Sequence, residues 1–566
     1  MAMVSDQRPA RTSSFWIEKA VIAVAFLSLL ILVVLPVGSL LIGSIWTETG
    51  FSLGYFEAAL TERMYLRALQ NSLILGAFTA LFSVVLGVPL AWAVGRTNVP
   101  GKWLIRLTVA LAYLAPPFLT AIAFVNLFSP NAGIINVFLR DLFGLEVSPF
   151  DIYTMTGLVF VTVLHTFPFV YLLSAVAFES IDASYEEASQ ILGAGKLRTA
   201  FVITAPLVAP AILSGTLMSF VNAIALFGSQ AIIGMPGRIY TLPTRIYTLF
   251  DYPPQFGLAS ALSLIFVAIT VLALYLQRVY LARRSFVTLS GKGARPQLVN
   301  LGGWRWMLLG FAGIAFLLAV VLPFSTLILL SFRASAETGW FGLSLEHYKF
   351  VLFDYSITRR AIVNSLILAT AAATITVILG TGISWVELRT KLRGRKILDY
   401  VSLIPLGLPG IVMAVALVQF WLQMPVALYG TLGILLLAYV GRYIPLGVRA
   451  ANSSFRQMDP SLEEAARILG AGWGRTMGEI VLPLIRPGLF AGWLLVFVPV
   501  IQELSASILL FSSNSITLAV AVYNLYEVGR PQPVAALAMV NMMVIGVAIL
   551  VVRWFGARRA GADIQN

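Results

Sequence analysis

Runs of about twenty apolar residues, broken by short charged or Pro/Gly-rich stretches, recur along the whole chain. A hydrocarbon core about 30 Å thick needs roughly 20 helical residues per crossing. The pattern therefore predicts twelve membrane helices, near 18–46, 68–95, 103–128, 154–178, 206–234, 256–279, 304–332, 361–388, 397–423, 430–455, 484–511 and 534–556. Composition agrees: 59% of 566 residues are hydrophobic and 11% charged, and the mean hydropathy of +0.90 lies outside the range of ordinary soluble domains. The expected fold class is an all-α polytopic membrane protein. The first apolar run follows Arg8, Arg11 and Lys19 as a signal peptide would, but from Ala20 to Ile45 it is too long for one and no clear A-x-A site follows. It is expected to be a retained span.

The chain repeats itself. Residues 182–212 (DASYEEASQILGAGKLRTAFVITAPLVAPAI) align without a gap on 459–489 (DPSLEEAARILGAGWGRTMGEIVLPLIRPGL), with about half the positions identical. At a slightly different offset Asn71-Ser72-Leu73 matches Asn364-Ser365-Leu366, Arg96-Thr97 matches Arg389-Thr390, and Pro116 matches Pro409. The offset shortens by 16 residues between these blocks, which places an extra stretch in the first half, near Asn131 to Asp151. Two six-span units are expected, 1–282 and 304–566, joined by a polar, basic linker at 283–303. Both units start on the same side, so they are parallel repeats.

The net charge of +13 raises nucleic acid or an anionic membrane surface as a partner. Its distribution removes the first. With the N-terminus in the cytoplasm, cytoplasmic segments hold 27 of the 38 Lys and Arg residues, the opposite face holds 10, and Arg442 lies inside the tenth span. That is a positive-inside bias, with both termini cytoplasmic, membrane lipid as surroundings and no nucleic acid implied. The chain has no cysteine and two histidines, which excludes disulfides, thiol chemistry and a His-rich metal cage. No catalytic constellation, metal site or cofactor site is expected. GAGK at 193–196 fails as a phosphate loop, because Gln190 stands where glycine is needed and Leu197 where Ser or Thr is needed.

The repeated stretch falls in a cytoplasmic loop of each unit. Ser184-x-x-Glu187 and Ser461-x-x-Glu464 read as capping boxes that start a short helix. Ala188, Ile191 and Leu192, like Ala465, Ile468 and Leu469, form a narrow apolar stripe. Gly193 and Gly470 suit the left-handed residue that ends a helix, and Pro206 and Pro483 suit the first turn of the next. Helices near 184–193 and 461–470 are too short to be stable alone. Each stripe rests on its own bundle or on a partner, and a pair at equivalent positions suits a two-fold partner.

The second copy matches the EAA motif of binding-protein-dependent ABC importer permeases: Glu464-Ala465-Ala466, three residues, Gly470, nine residues, Ile480, one residue, Leu482-Pro483. The first copy departs at Ser189 and Ala205 while keeping Glu187, Ala188, Gly193, Ile203 and Pro206. The chain thus resembles two fused permease units with a type I ABC importer permease fold. The resemblance implies a bacterial inner-membrane location and two copies of an ABC ATPase docked on Glu186 to Gly193 and Glu463 to Gly470. It also implies a periplasmic or lipid-anchored substrate-binding protein, with ATP hydrolysis left to the separate subunit. Gln502-Glu503-Leu504-Ser505-Ala506-Ser507 and Tyr252-Pro253-Pro254 are similar to iron(III)-type fused permeases. Iron(III) is the substrate this implies, with thiamine, 2-aminoethylphosphonate, polyamines and inorganic anions as alternatives, and an ion-coupled secondary transporter as the rival class.

Four polar groups inside spans are candidates for the route. Glu503 reads as a route carboxylate or as an acid bonded to a neighbouring helix. His165 and Arg442 occupy equivalent places, three residues before Pro168 and Pro445. The histidine suits an interhelical hydrogen bond and the arginine a carboxylate such as Glu503. Gln230 could line a route or tie helices together.

Overall fold

The computed structural model describes residues 9–47, 50–283, 298–334 and 342–562; most of the sequence-assigned linker lies outside them. The elements that matter for function are α1 (Arg63–Arg96), α2 (Met155–Ser180), α3 (Ala183–Ile191), α4 (Ala205–Ala225), α5 (Ser356–Arg389), α6 (Leu432–Gln457), α7 (Ser461–Ile468), α8 (Leu482–Ile501) and α9 (Leu518–Glu527). The repeat survives to the residue. Helices α1 and α5 both have 34 residues, and α2 and α6 both have 26.

Among the described residues ten helices are long and apolar enough to cross a membrane, and two bent pairs bring the number to as many as twelve. The third and ninth spans are those pairs. Lys102–Leu114 meets Pro117–Phe128 at 99°, and Arg395–Gly407 meets Gly410–Trp421 at 112°, where single helices were expected. The cause is proline. Ala115 before Pro116 and Leu408 before Pro409 are both extended, because a proline ring disfavours helical conformation in the residue before it. After each bend runs an almost continuously buried apolar helix, as in Phe118 to Val125 and Gly410 to Val418. A helix apolar on all sides belongs in the interior of its bundle.

Two compact units share the chain. One contains the described residues of Leu53–Asp354 together with Tyr523–Met539. The other contains the described residues up to Ser52, Tyr355–Val522 and the described residues from Val540. These units are cut differently from the sequence repeats. The N-terminal span belongs with the second repeat, where its helix Leu35–Ile45 packs on Gly410–Trp421 and Ser39 Oγ donates to Ala416 O at 3.1 Å. The seventh span, Trp304–Phe332, belongs with the first repeat and packs on the Lys102–Leu114 and Pro117–Phe128 helices.

Of the six π-helical turns among the described residues, four lie inside membrane-spanning helices, at Leu30–Val34, Ala200–Thr204, Leu317–Val321 and Met477–Val481. Each ends two residues before a proline: Pro36, Pro206, Pro323 and Pro483. A proline lacks the N–H and crowds the carbonyl four residues back, and widening the preceding turn relieves both. Pro206 and Pro483 therefore sit in the first turn of α4 and α8, but inside longer helical segments that already run from Lys196 and Trp473.

The repeated Asn-Ser pairs act alike in the two units. Asn71 Nδ2 donates to Tyr240 O at 2.8 Å and Ser72 Oγ accepts from Leu242 N at 2.8 Å. Asn364 Nδ2 donates to Asn514 O and Ile516 O, and Ser365 Oγ accepts from Leu518 N at 2.8 Å. In each unit the long helix thereby satisfies a peptide N–H at the start of a following helix, one of the donors that a helix cannot satisfy itself.

Candidate functional site

Helices α3 and α7 begin differently from the expectation. No serine hydroxyl caps either one. Instead Asp182 Oδ1 accepts from Ser184 N at 2.9 Å, and Asp459 Oδ1 accepts from Ser461 N at 2.9 Å. An aspartate two residues ahead competes better for the orphan donor than the serine, which is already in the first turn. These bonds hold both exposed carboxylates below the usual value of 3.8. Both helices end as expected. Gly193 and Gly470 each have φ of +84°, and Ala194 N and Ala471 N reach back to Ser189 O and Ala466 O at 3.0 Å, the longer bond of a Schellman end.

The adjacent glutamates part company. Glu186 and Glu463 are buried, while Glu187 and Glu464 are exposed. Arg96 Nη2 lies 2.5 Å from Glu186 Oε2, and its Nη1 donates to Ile181 O at 3.1 Å. Arg389 Nε lies 2.7 Å from Glu463 Oε1, and its Nη2 donates to Phe455 O at 3.0 Å and Met458 O at 3.1 Å. In both units one guanidinium at the C-terminus of the 34-residue helix joins the short helix to carbonyls at the C-terminal end of the 26-residue helix. The planar fork of arginine suits such convergent acceptors.

The apolar stripe has no cover within its own unit. Ile191 and Leu192 are 86% and 87% exposed, and Ile468 and Leu469 are 85% and 87% exposed. Ala188 and Ala465 are exposed too, whereas Ser189 and Ala466 face inward with the buried glutamates. Four large aliphatic side chains thus stand free on two short helices, at one end of α2 and of α6.

The intramembrane polar groups resolve individually. Glu503 is not deep in a helix: α8 ends at Ile501, and Glu503 sits in the break that follows. Its Oε1 accepts from Ala506 N at 3.0 Å, its Oε2 accepts from Tyr443 Oη at 2.5 Å, and Arg442 Nε lies 3.4 Å away. Arg442 Nη1 occupies the space that Gly410 leaves open, where a Cβ would overlap it. Gln230 is fully buried. Its amide donates to Ala223 O at 2.9 Å and Ile224 O at 3.3 Å, and its oxygen accepts from Thr241 Oγ1, so it ties the break after α4. His165 lies against the backbone of Ala112 and Ala115, and its Nδ1 makes no hydrogen bond.

Against known families, residues 83–286 and again 372–560 match the binding-protein-dependent transport system inner membrane component. Both halves carry it. The chain belongs to this family.

This ABC importer permease is a multi-pass inner-membrane protein. A ferric transport system permease protein, FbpB, of Actinobacillus pleuropneumoniae is 26% identical over 542 residues, covering 94% of this chain and 77% of that protein. The Fe(3+)-transport system permease protein FbpB 2 of Haemophilus influenzae is 26% identical over 460 residues, covering 80% and 83%. A molybdenum transport system permease protein, ModB, of Escherichia coli K12 is 31% identical over 222 residues, covering 39% of this chain and 94% of that one. Among solved structures, one chain of a bacterial alginate ABC transporter is 19% identical with a TM-score of 0.40, covering 49% of this chain and 96% of its own.

In this permease the sequence shows the guanidinium anchors Arg96 and Arg389 only as part of the repeat. The signal was present: an arginine and a glutamate each recur at equivalent places in both halves. Two mirrored opposite charges in an apolar chain are natural partners.

Proposed function

We propose that this permease carries iron(III) across the inner membrane, and that two copies of a separate ATPase drive it by docking on α3 and α7. The observation that supports the docking most is the mirrored pair of uncovered Ile-Leu faces, each beside an exposed glutamate and each fixed from behind by a buried arginine. An aliphatic surface left in water costs about 25 cal/mol per Å², so a groove of matching shape gains from covering it. The exposed Glu187 and Glu464 are free to meet cationic side chains of that partner. Closure of the ATPase dimer on ATP then pushes α3 and α7, and the buried arginines pass the displacement to α1, α2, α5 and α6. The pore opens outward to a substrate-binding protein, and hydrolysis returns it inward. The cytoplasmic face is the one bearing α3 and α7, with both termini on that side.

The iron reading rests on the two ferric transport relatives, whose similarity runs along most of the chain, together with the Gln502 to Ser507 and Tyr252 to Pro254 stretches. The experiment is a double charge reversal, Glu187→Lys with Glu464→Lys, in the whole transporter. Loss of ATPase co-purification and of radioactive iron uptake is expected; undiminished association and uptake would remove the docking role. Wild-type cells that take up molybdate or thiamine through this transporter, and not iron, would remove the substrate.

A further inference from the structure

At the opposite end of α2 from α3, a cavity of about 580 Å³ opens within the unit built on the first repeat. The 26 residues of α2 separate the two ends by about 39 Å at 1.5 Å per residue, so this cavity lies on the side facing the substrate-binding protein if α3 meets the ATPase. Its wall carries Asn126, Tyr153, Tyr523, Tyr526, Glu527 and Arg530. Tyr523, Tyr526 and Glu527 fall at i, i+3 and i+4 of α9 and so share one face. The groups are already linked. Tyr523 hydrogen-bonds to Glu527, and Tyr526 to Tyr153. Tyr526 Oη also donates to Ile232 O at 3.2 Å, and the Tyr523 ring packs on Phe227 at 5.9 Å. Three phenols and one carboxylate lining one solvent-open cavity are more than an apolar mouth requires.

We propose that this cavity is an entry site for a trivalent hard cation, held by the phenolate oxygens of Tyr523 and Tyr526 and the carboxylate of Glu527. The proposal rests on the iron(III) reading above. A hard ion favours oxygen donors over nitrogen or sulfur. On binding, iron(III) leaves its carrier ligand, Tyr523 and Tyr526 each release a proton to water, and no electron moves. The Arg530 guanidinium at the rim weakens the hold on a cation, which suits a site that must release its cargo.

Iron bound to phenolate absorbs visible light, and that absorption is the readout. The purified full-length permease is titrated with ferric nitrilotriacetate, beside Tyr523→Phe, Tyr526→Phe, their double variant and Glu527→Gln, with thermal melts confirming that each is folded. The wild type should develop a visible charge-transfer band, each single Tyr variant should lower it, and the double variant should lack it. Radioactive iron uptake by cells with the whole transporter is measured in parallel. Uptake in the wild type with no band, or a band that survives in the double variant, overturns the site and leaves the iron reading standing. Absence of iron uptake in the wild type overturns that reading, and the site with it.

Discussion

The Arg389–Glu463 pair allows the sharpest test of how the short helix is held. Glu463 is buried and its carboxylate meets Arg389 Nε at 2.7 Å. With an effective dielectric of about 20, two unit charges at that separation attract by roughly 6 kcal/mol, from which desolvation of both groups must be subtracted. Removing one partner from a buried pair typically costs about 3–5 kcal/mol, because the survivor is left unpaired. Arg389→Gln also forfeits charge-assisted bonds to Phe455 O and Met458 O, although glutamine can restore one. Net destabilisation of α7 near 3 kcal/mol is therefore expected, which corresponds to about a hundredfold faster amide exchange. Glu463→Gln should cost less, about 1–2 kcal/mol, since the guanidinium keeps both carbonyls. The double variant should fall short of the sum by about 2 kcal/mol, as contacting residues couple. Hydrogen exchange followed by mass spectrometry on the segment 459–471 of the purified permease measures all three. An Arg389→Gln rate within threefold of wild type, or a strictly additive double variant, would refute the anchor.

Two further predictions concern the same helices. The carboxylate of Asp459 is held below its usual 3.8 by the bonds it accepts from Ser461; a depressed acid stabilises above the unfolded value and loses that contribution as pH falls through the folded one. Protection at the start of α7 should thus be flat at neutral pH and drop only below about pH 4; Asp459→Ala should be weak at all pH values, and an unchanged acid step in that variant would exclude the cap. Ser189 Oγ and Thr199 Oγ1 lie 3.0 Å apart, whereas Thr476 Oγ1 at the equivalent place has no hydrogen-bond partner, because Ala466 stands opposite it. Ser189→Ala should cost about 1 kcal/mol of local stability and Ala466→Ser should gain a similar amount, read by exchange in 182–194 and 459–471; two null results would remove the hydroxyl pairing.

Much of this was legible in the sequence, for reasons that differ by element. The spans were readable because a backbone in lipid must satisfy its own hydrogen bonds, which leaves long apolar helices as the way across. The short helices were readable because their ends carry local signals: Gly193 and Gly470 take the left-handed conformation that a Schellman end requires. The bends at Pro116 and Pro409 were less so, since proline is ordinary in membrane helices and only the surrounding packing decides between a kink and a break. The capping atom was not legible, because Asp182 and Asp459 lie two residues ahead of the Ser-x-x-Glu pattern. The unit assignment of the first and seventh spans could not be read at all. An apolar helix facing lipid on one side carries no residue that names the bundle it joins.

The two copies of the helix are anchored by the same arginine but fastened differently behind it. In the first, Thr204 donates to Glu186 Oε1 at 2.8 Å and Ser189 meets Thr199. In the second, Val481 and Ala466 stand at those places, and the neighbouring contact is Trp385 edge-on to Trp473 at 5.1 Å. Ser189, one of the two residues by which the first copy departs from the family motif, is therefore part of a substitution of hydroxyl bonds for apolar packing. Hydroxyl bonds are directional and break over a short displacement, while aromatic packing tolerates sliding. Under the proposed docking, two identical ATPase subunits would meet a stiff fastening on one side and a compliant one on the other. In a transporter built from two separate identical permease chains such a difference could not arise. Fusion of the two halves lets each short helix be fastened in its own way, and the departure at Ser189 is where this chain has used that freedom.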